Sequence, residues 1–266
     1  MRMRRIVRAG RRIRQSFTHF DNGPELLMST FRSTEMKFRT KTGLTMYAPN
    51  VAGARFPIYE INADDVYRLG ELLDGLPADL TAVDIGAHIG SFSSAVCAAV
   101  PGATVHAYEA SPSTADWLER NVAANDLGDR LIVHRSAVSD HEGALEIIDN
   151  GEASAHNGLT APDGSGVLVS VPCVTFADIH AATGGRIDLL KSDAEGAEYG
   201  VILTSNPDHW AGVQRVVMEY HPVEGYSFSE LVDFFDVLGL KLVRDEPADR
   251  PGLGNAWFAR ATTRAA

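Results

Sequence analysis

The chain has 266 residues, 45% of them hydrophobic and 22% charged, which is typical of a soluble globular protein with one large domain or one domain plus an extension. Its net charge of −11 is unevenly distributed, since residues 1–14 contain seven arginines and no acid. The acidic remainder argues against a nucleic-acid substrate, because binding phosphates needs a basic stripe along the site. No apolar run approaches the roughly 20 residues of a membrane span. Cys97 and Cys173 fall inside a predicted helix and a predicted strand, so we expect buried thiols and a cytoplasmic protein.

The arginine-rich start is open to two interpretations. Ile6, Val7, Ile13 and Phe17 recur near helical spacing, so residues 1–14 could form an amphipathic helix that makes a peripheral contact with an anionic membrane. The alternative is a terminal helix without a membrane role. We therefore expect a cytoplasmic protein that is membrane-associated only under the first interpretation.

The chain is predicted to divide into an N-terminal lead-in over residues 1–75 and a larger domain over residues 76–266. The lead-in contains the basic leader, a short β pair at 36–39 and 44–48, and a helix over roughly 63–73 with one apolar stripe.

Short apolar strands alternate with helices from residue 81 onward. This alternation predicts an α/β fold in which a doubly wound, seven-stranded, mostly parallel sheet is covered on both faces. The last two strands are joined by a loop without a helix, so we expect them to pair antiparallel. The predicted strands span 81–85, 103–108, 131–135, 186–192, 213–220, 240–245 and 255–260. The predicted helices span 90–100, 113–125, 197–204 and 228–238.

An insertion at 140–175 interrupts the alternation. It is predicted as a hairpin with arms at 144–148 and 166–174 around a polar loop. His156 and Asn157 in this loop could line a ligand pocket as a lid, or belong to an ordinary surface loop.

A glycine turn follows the first strand of the larger domain. Asp84 ends that strand, Gly86 and Gly90 lie in the turn, and Glu109 ends the next strand, 23 residues after Gly86. This order of elements, in which a glycine turn and a helix connect two strands and an acid ends the second strand, suits an adenosine-ribose site. The acid can accept hydrogen bonds from both ribose hydroxyls.

The turn has the pattern Asp-x-Gly-x-x-x-Gly and not the G-x-G-x-x-G pattern of dinucleotide sites. A carboxylate at Asp84 would repel a pyrophosphate on the helix N-terminus. The ammonium and sulfonium groups of S-adenosylmethionine tolerate that carboxylate, so the pattern favours this methyl donor. Two alternatives stay open, a nicotinamide-dependent oxidoreductase and a non-catalytic donor-binding partner subunit.

Four stretches of the chain resemble the FkbM family of S-adenosylmethionine-dependent methyltransferases. They are residues 83–90 (VDIGAHIG), 107–112 (AYEASP), 188–198 (DLLKSDAEGAE) and 217–221 (VMEYH). The resemblance spans roughly residues 60–240. It implies a class I methyltransferase-type sheet and an O-methyltransferase acting on a hydroxyl of a sugar, glycolipid or polyketide, in secondary metabolism or glycan biosynthesis.

The donor site is expected around the glycine turn. We expect Asp84 to hold the amino group of the donor, or alternatively to cap the following helix, and Glu109 to bind the ribose. Segment 136–137 lies where the strand order switches, a position at which ligands of such sheets bind. The predicted donor-binding residues are Asp84, Gly86, Ala87, His88, Gly90, Glu109, Ala110, Ser111, Ser136, Ala137 and Asp193.

A charged block at residues 191–198 ends the fourth predicted strand. Burying several charges is costly unless they pair or meet a cationic ligand. We therefore expect Asp193 near the sulfonium, Glu195 near the acceptor and Lys191 paired with one of them. A purely structural ion-pair cluster is the alternative. We expect no metal ion.

His221, at the end of the fifth predicted strand, is the candidate general base. Methyl transfer to an alcohol needs the hydroxyl proton removed as the new bond forms, which calls for a base within about 3 Å. Glu219 or Asp193 could orient the ring. The alternative for His221 is a structural hydrogen bond. The chain lacks the Asn/Asp-Pro-Pro-Tyr sequence of nucleobase and glutamine N-methyltransferases at this place, so oxygen is the expected acceptor atom.

Overall fold

The central element of the computed structural model is a seven-stranded sheet, within a structure that describes residues 2–149, 151 and 166–261. Its strands are β3 (Thr81–Ile85), β4 (Thr104–Tyr108), β5 (Leu131–His134), β9 (Leu189–Ser192), β10 (Arg215–Tyr220), β11 (Leu240–Pro247) and β12 (Gly254–Arg260).

The strand order is β11-β12-β10-β9-β3-β4-β5. The five strands from β10 to β5 are parallel, whereas β12 pairs antiparallel with both β10 and β11. The predicted doubly wound sheet with an antiparallel terminal hairpin is confirmed. The order reverses between β9 and β3, so the carboxyl ends of these two strands border the crevice in which such folds bind ligands.

Helices cover both faces of the sheet. One face packs against α4 (Leu69–Leu73), α5 (Ser91–Ala99) and α6 (Pro112–Ala124), and the other against α7 (Phe176–Ala182), α8 (Glu198–Leu203) and α9 (Phe228–Val237). Each face has a continuous apolar core between the sheet and its helices. A 3-10 turn, Pro207–Trp210, precedes β10.

The N-terminal segment forms its own small core against α6 and the glycine turn. Phe20 and Phe38 meet edge to face there, and the Asn121 and Asn125 side chains of α6 accept hydrogen bonds from the backbone N–H groups of Tyr47 and Thr45. The segment comprises α1 (Arg2–His19), α2 (Gly23–Arg32), the antiparallel pair β1 (Glu35–Arg39) and β2 (Thr45–Pro49), and α3 (Ala52–Tyr59).

The helix predicted over 63–73 is replaced by a broken path. Helix α3 runs into a π-helical turn, Glu60–Asp64, and two non-glycine residues with positive φ, Asp65 (49°) and Arg68 (53°), then redirect the chain into α4. Pro57 inside α3 lacks an N–H, which weakens the α-helical ladder just before the π turn. Such irregular turns are frequent at functional sites.

The insertion forms the predicted hairpin, with β7 (Gly143–Asp149) antiparallel to β8 (Val167–Val174), and a short β6 (Ala137–Val138) parallel to β8. The predicted lid residues His156 and Asn157 lie outside the described residues. Among the described residues, no helix is long and apolar enough to cross a membrane.

Candidate active site

A row of polar side chains crosses one face of the sheet at the carboxyl ends of its strands. In the register of the sheet, Asp84 of β3 lies opposite Lys191 of β9, and Glu219 of β10 lies opposite Asn255 of β12. Along these strands the neighbours two residues away on the same face are apolar and buried. This face of the sheet is therefore apolar except for the polar row at the carboxyl ends of the strands. Parallel sheets bind their ligands at these ends.

Asp84 and Lys191 form a buried ion pair. Asp84 is fully buried, its Oδ1 lies 3.2 Å from Lys191 Nζ, and its Oδ2 accepts a 2.6 Å hydrogen bond from Ser93 of α5. Burial opposes the charge of Lys191, but Asp84 and Asp193 outweigh it and raise its pKa. The carboxylate of Asp84 is thus engaged by the protein, and its predicted contact with the donor ammonium stays a prediction.

The glycine turn is fixed to β4 and β9 by its backbone. The N–H groups of Gly86 and Ala87 both donate to the Tyr108 carbonyl, and Lys191 Nζ donates to the Gly86 carbonyl at 2.7 Å. Gly86 has φ of 73°, and a Cβ there would overlap the Asp193 carbonyl oxygen. Only glycine permits this close approach of the turn to the β9 end.

Glu109 lies at the centre of the predicted donor site. Its carboxylate accepts backbone hydrogen bonds from His88 (2.8 Å) and Ser111 (2.9 Å). Burial raises the pKa of Glu109 to about 7, although these two hydrogen bonds lower it. The backbone N–H of Glu109 donates to the carbonyl of His134, two residues before the buried Ser136, so segment 136–137 lies near Glu109. The expectation that this segment lies at the switch in strand order is wrong, because it follows the edge strand β5 and the order switches between β9 and β3.

A second cluster centres on His221, directly after β10. Its Nδ1 lies 3.0 Å from Glu198 Oε1, and its Nε2 lies 3.6 Å from Glu195 Oε2. Glu198 is fully buried and also accepts the backbone N–H groups of Ala194 (2.9 Å) and Gly196 (3.0 Å). Three donors therefore hold the Glu198 carboxylate in place, and that carboxylate orients the imidazole.

The partner of His221 differs from the expected one. We expected Glu219 or Asp193 to orient the ring, but the hydrogen bond runs to Glu198, at the end of the charged block. Burial opposes a charged imidazole, yet the hydrogen bond and charge of Glu198, with the charges of Asp193 and Glu195, raise the pKa of His221 to about 9. The ring is thus a stronger base than an ordinary histidine.

Asp193 and Glu219 face the same space as His221. One ligand atom from each of these three residues lies within 4.8 Å of the others, an arrangement that could also hold a divalent cation. Burial, followed by the charge of Asp193, raises the pKa of Glu219 to about 7. A cationic group entering this space would be stabilised by both carboxylates.

Two further residues at this edge gave no signal in the sequence. Glu60, in the π turn, has a pKa raised to about 7, first by burial and then by Glu219 and Asp193. Tyr67 is buried, and burial together with the carboxylates of Asp193 and Glu219 raises its pKa well above the usual range. Their positions depend on the irregular chain path after α3, which the apolar pattern does not encode.

The model of the FkbM methyltransferase domain matches residues 84–242, which include the glycine turn, the charged block and His221. The chain belongs to the FkbM methyltransferase family. The methyltransferase sdnD of Sordaria araneosa is 31% identical over 206 residues, covering 66% of this chain and 78% of that protein. The 31-O-demethyl-FK506 methyltransferase FkbM of Streptomyces tacrolimicus is 28% identical over 238 residues, covering 78% of this chain and 90% of that protein.

A solved structure supports the fold of this FkbM-family methyltransferase. The METTL16 methyltransferase domain aligns with a TM-score of 0.52 at 13% identity, over 83% of this chain and 75% of that domain. The similarity shows the fold alone, a class I methyltransferase sheet.

Membership of the family implies S-adenosylmethionine as the methyl donor, and it decides against the nicotinamide alternative. The residues fit that group. Glu109 offers a fixed carboxylate at the end of β4 for two ribose hydroxyls, and Asp193 and Glu219 offer negative charge for a sulfonium.

Proposed function

We propose that this methyltransferase transfers its methyl group to a hydroxyl of a sugar, glycolipid or polyketide, in secondary metabolism or glycan biosynthesis. The observation that carries the proposal is His221, which is clamped by the buried carboxylate of Glu198 and faces Asp193 and Glu219. A hydroxyl is a weak acid and needs such a base, whereas a neutral amine or a thiolate does not. The Streptomyces tacrolimicus relative is a 31-O-demethyl-FK506 methyltransferase, which supports an oxygen acceptor.

When bound, S-adenosylmethionine supplies an electrophilic methyl group on a sulfonium. The residues of the chain then have separate roles. Glu109 accepts hydrogen bonds from the ribose, while Asp193 and Glu219 compensate the positive charge. Much of the rate of an in-line displacement comes from holding the two reactants in position.

His221 moves the proton. Its Nδ1–H stays bonded to Glu198, and its neutral Nε2 takes the proton of the acceptor hydroxyl. With a pKa of about 9 in the free protein, only about one ring in a hundred is neutral at pH 7, so we expect the reaction to speed up as the pH rises. We also propose that Glu195, which is exposed and lies 3.6 Å from Nε2, contacts the acceptor.

A second mechanism uses the same three side chains as ligands of a divalent cation. Asp193, Glu219 and Nε2 of His221 have donor types that suit such an ion, and Glu198 would fix the ring from behind, as carboxylates do behind metal-bound histidines. The two mechanisms differ in their need for a metal ion.

The test incubates the full chain with methyl-labelled S-adenosylmethionine and a panel of sugars, glycolipids and polyketides. We expect a methyl ether on one class. His221→Ala should lower kcat by about 10²–10⁴ with donor affinity nearly unchanged. EDTA should leave wild-type activity intact if His221 is the base, whereas loss restored by Mg²⁺ would support the metal mechanism. Methylation of nitrogen or carbon instead of a hydroxyl would contradict the proposal.

A further inference from the structure

Helices α1 and α2 pack side by side on the small N-terminal core. A Cβ at Gly23, the first residue of α2, would lie 2.7 Å from the Ser16 carbonyl oxygen of α1, so glycine permits the two helices to approach this closely. Ser16 faces inward, where its hydroxyl forms a 2.8 Å hydrogen bond with that of Tyr59. Leu26 of α2 is buried in the same core. One face of each helix therefore points into the protein, and the opposite faces share one outer surface.

Large apolar side chains are exposed on this outer surface. Phe17 is 50% exposed and follows the exposed Ile13 by one turn of α1. Phe31 is 86% exposed and follows the exposed Met28 by three residues on α2. At about 100° per residue, both α2 side chains lie about 140° or more around the helix from Leu26. These four exposed side chains, Ile13, Phe17, Met28 and Phe31, form what we call the apolar face.

An exposed apolar patch of this kind marks an interaction surface. Single exposed apolar side chains are common on folded proteins and need no explanation. Here four of them adjoin on two packed helices, and the described part of the chain leaves all four exposed. The apolar face therefore needs an occupant that the described residues do not supply.

The charge of the two helices identifies this occupant. Helix α1 contains seven arginines and no acid, and α2 contains one arginine, Arg32, and one acid, Glu25. The Glu25 carboxylate is paired with Arg39 at 3.2 Å. Apolar and basic groups together suit an anionic lipid surface, which takes up the apolar side chains and attracts the arginines.

The contacts of α1 set the orientation of the chain at such a surface. Asp64 of the π turn binds Arg11 at 2.6 Å and Arg12 at 2.9 Å, and these contacts fix α1 against the protein. Arg14 is exposed and lies three residues before Phe17, so its charge borders the apolar face. The remainder of the chain is acidic. An anionic surface therefore attracts the two helices and repels the rest of the molecule.

We propose that the apolar face and the arginines around it form a peripheral binding surface for an anionic lipid bilayer. Helices α1 and α2 lie in the plane of the interface, and the apolar face enters the boundary between headgroups and acyl chains. Neither helix is long and apolar enough to span the bilayer. The proposal adds α2, with Met28 and Phe31, to the basic leader, and it holds whichever acceptor the enzyme methylates.

The test follows position 31 at the lipid surface. Full-length Phe31→Cys is labelled with an environment-sensitive NBD fluorophore. Val237→Cys is the matched control, because Val237 at the end of α9 is also 86% exposed. The native Cys97 and Cys173 are buried, so the label reports the introduced thiol. The probes are vesicles of phosphatidylcholine alone and of phosphatidylcholine mixed with phosphatidylserine.

On the mixed vesicles we expect the emission at position 31 to shift to the blue and gain intensity, and the emission at position 237 to stay unchanged. In co-sedimentation, Phe31→Ser and Phe17→Ser should each weaken binding about tenfold, since each removes an aromatic side chain from the lipid. Val237→Ser should bind like the wild type. Added salt should weaken wild-type binding, because it screens the arginines.

The proposal is wrong if the full chain binds no anionic vesicle, if it binds neutral vesicles equally well, or if Phe31→Ser and Phe17→Ser bind like the wild type. It is also wrong if the emission at position 31 shifts with protein concentration in the absence of vesicles and light scattering shows a doubled mass, because a second copy of the chain then covers the apolar face. Unchanged S-adenosylhomocysteine binding in each variant shows that the variant is folded.

Discussion

At the scale of single residues, Glu109 and His221 show how burial and charge tune two groups in opposite chemical roles. Both have raised pKa values, but burial raises that of Glu109, whereas carboxylates raise that of His221 against burial. A carboxyl of pKa about 7 ionises readily once hydroxyl donors reach it. An imidazole of pKa about 9 is a strong base once its proton has left.

Glu109→Gln should weaken binding of S-adenosylhomocysteine by about 1.5–3 kcal/mol, because hydrogen bonds from the ribose to a charged acceptor are lost. In the wild type the affinity should rise with pH through about 7, since the ribose hydroxyls bind the ionised carboxylate best. Isothermal titration at several pH values measures both effects. A wild-type affinity independent of pH, together with an unchanged affinity in Glu109→Gln, would remove Glu109 from the donor site.

At the scale of elements, Asp64 is the acid that attaches α1 to the π turn among the side chains that the structure describes. Asp64 is 12% exposed and contacts Arg11, Arg12 and Gln15. Asp64→Asn should lower the free energy of unfolding by about 1–2 kcal/mol and speed amide hydrogen exchange along α1. Asp233→Asn, on the exposed side of α9, is the control. Unchanged exchange in α1 would show that other contacts fix the helix.

The leader also tests the membrane interpretation. Arg11 and Arg12 contact Asp64, so a contact with anionic lipid would depend mainly on the other arginines of the leader, four of which precede them. Deleting residues 2–9 should abolish co-sedimentation with anionic vesicles at low salt, at about 1 kcal/mol for each basic residue removed, while donor binding persists. If the full chain ignores such vesicles, the leader has no membrane role.

The sequence predicted the central sheet well, because its parallel strands are short, largely apolar runs that turns or helices follow. It predicted the N-terminal segment poorly. Helix α2 and the π turn pack in one small core with the distant residue Ile89, a contact that no local pattern reveals. In the site, the residue types around His221 were predicted, but Glu198 was not chosen as its partner. Which of four nearby acids reaches the ring depends on backbone direction, as in the positive φ of Glu195 (50°).

At the scale of the whole molecule, four groups make folding depend on pH in one direction. Glu60, Glu109 and Glu219 have pKa values raised from 4.5 to about 7, and His221 has its pKa raised from 6.5 to about 9. Each group binds its proton more tightly when folded, so its contribution is complete below the unfolded pKa and is lost as the pH rises through the folded value.

The Tm of the free protein should therefore decrease as the pH is raised from 5 to 9. The Tm of the Glu60→Gln variant should decrease less steeply over the same range. S-adenosylmethionine should raise the Tm more at pH 8 than at pH 5.5, because its positive charges compensate carboxylates that are ionised only at the higher pH. Differential scanning fluorimetry measures both. A Tm that rises over this range would show that the carboxyls are not buried as described.

The pH dependence of kcat/KM in the wild type and in Glu198→Gln tests the central claim, that His221 held by Glu198 removes the acceptor proton. In the wild type, kcat/KM should rise with pH towards about 9. In Glu198→Gln the loss of the carboxylate should lower the pKa of His221, move the rise to lower pH by about one unit or more, and reduce the maximum rate. Donor affinity should be unchanged. A profile identical in both proteins would contradict the account.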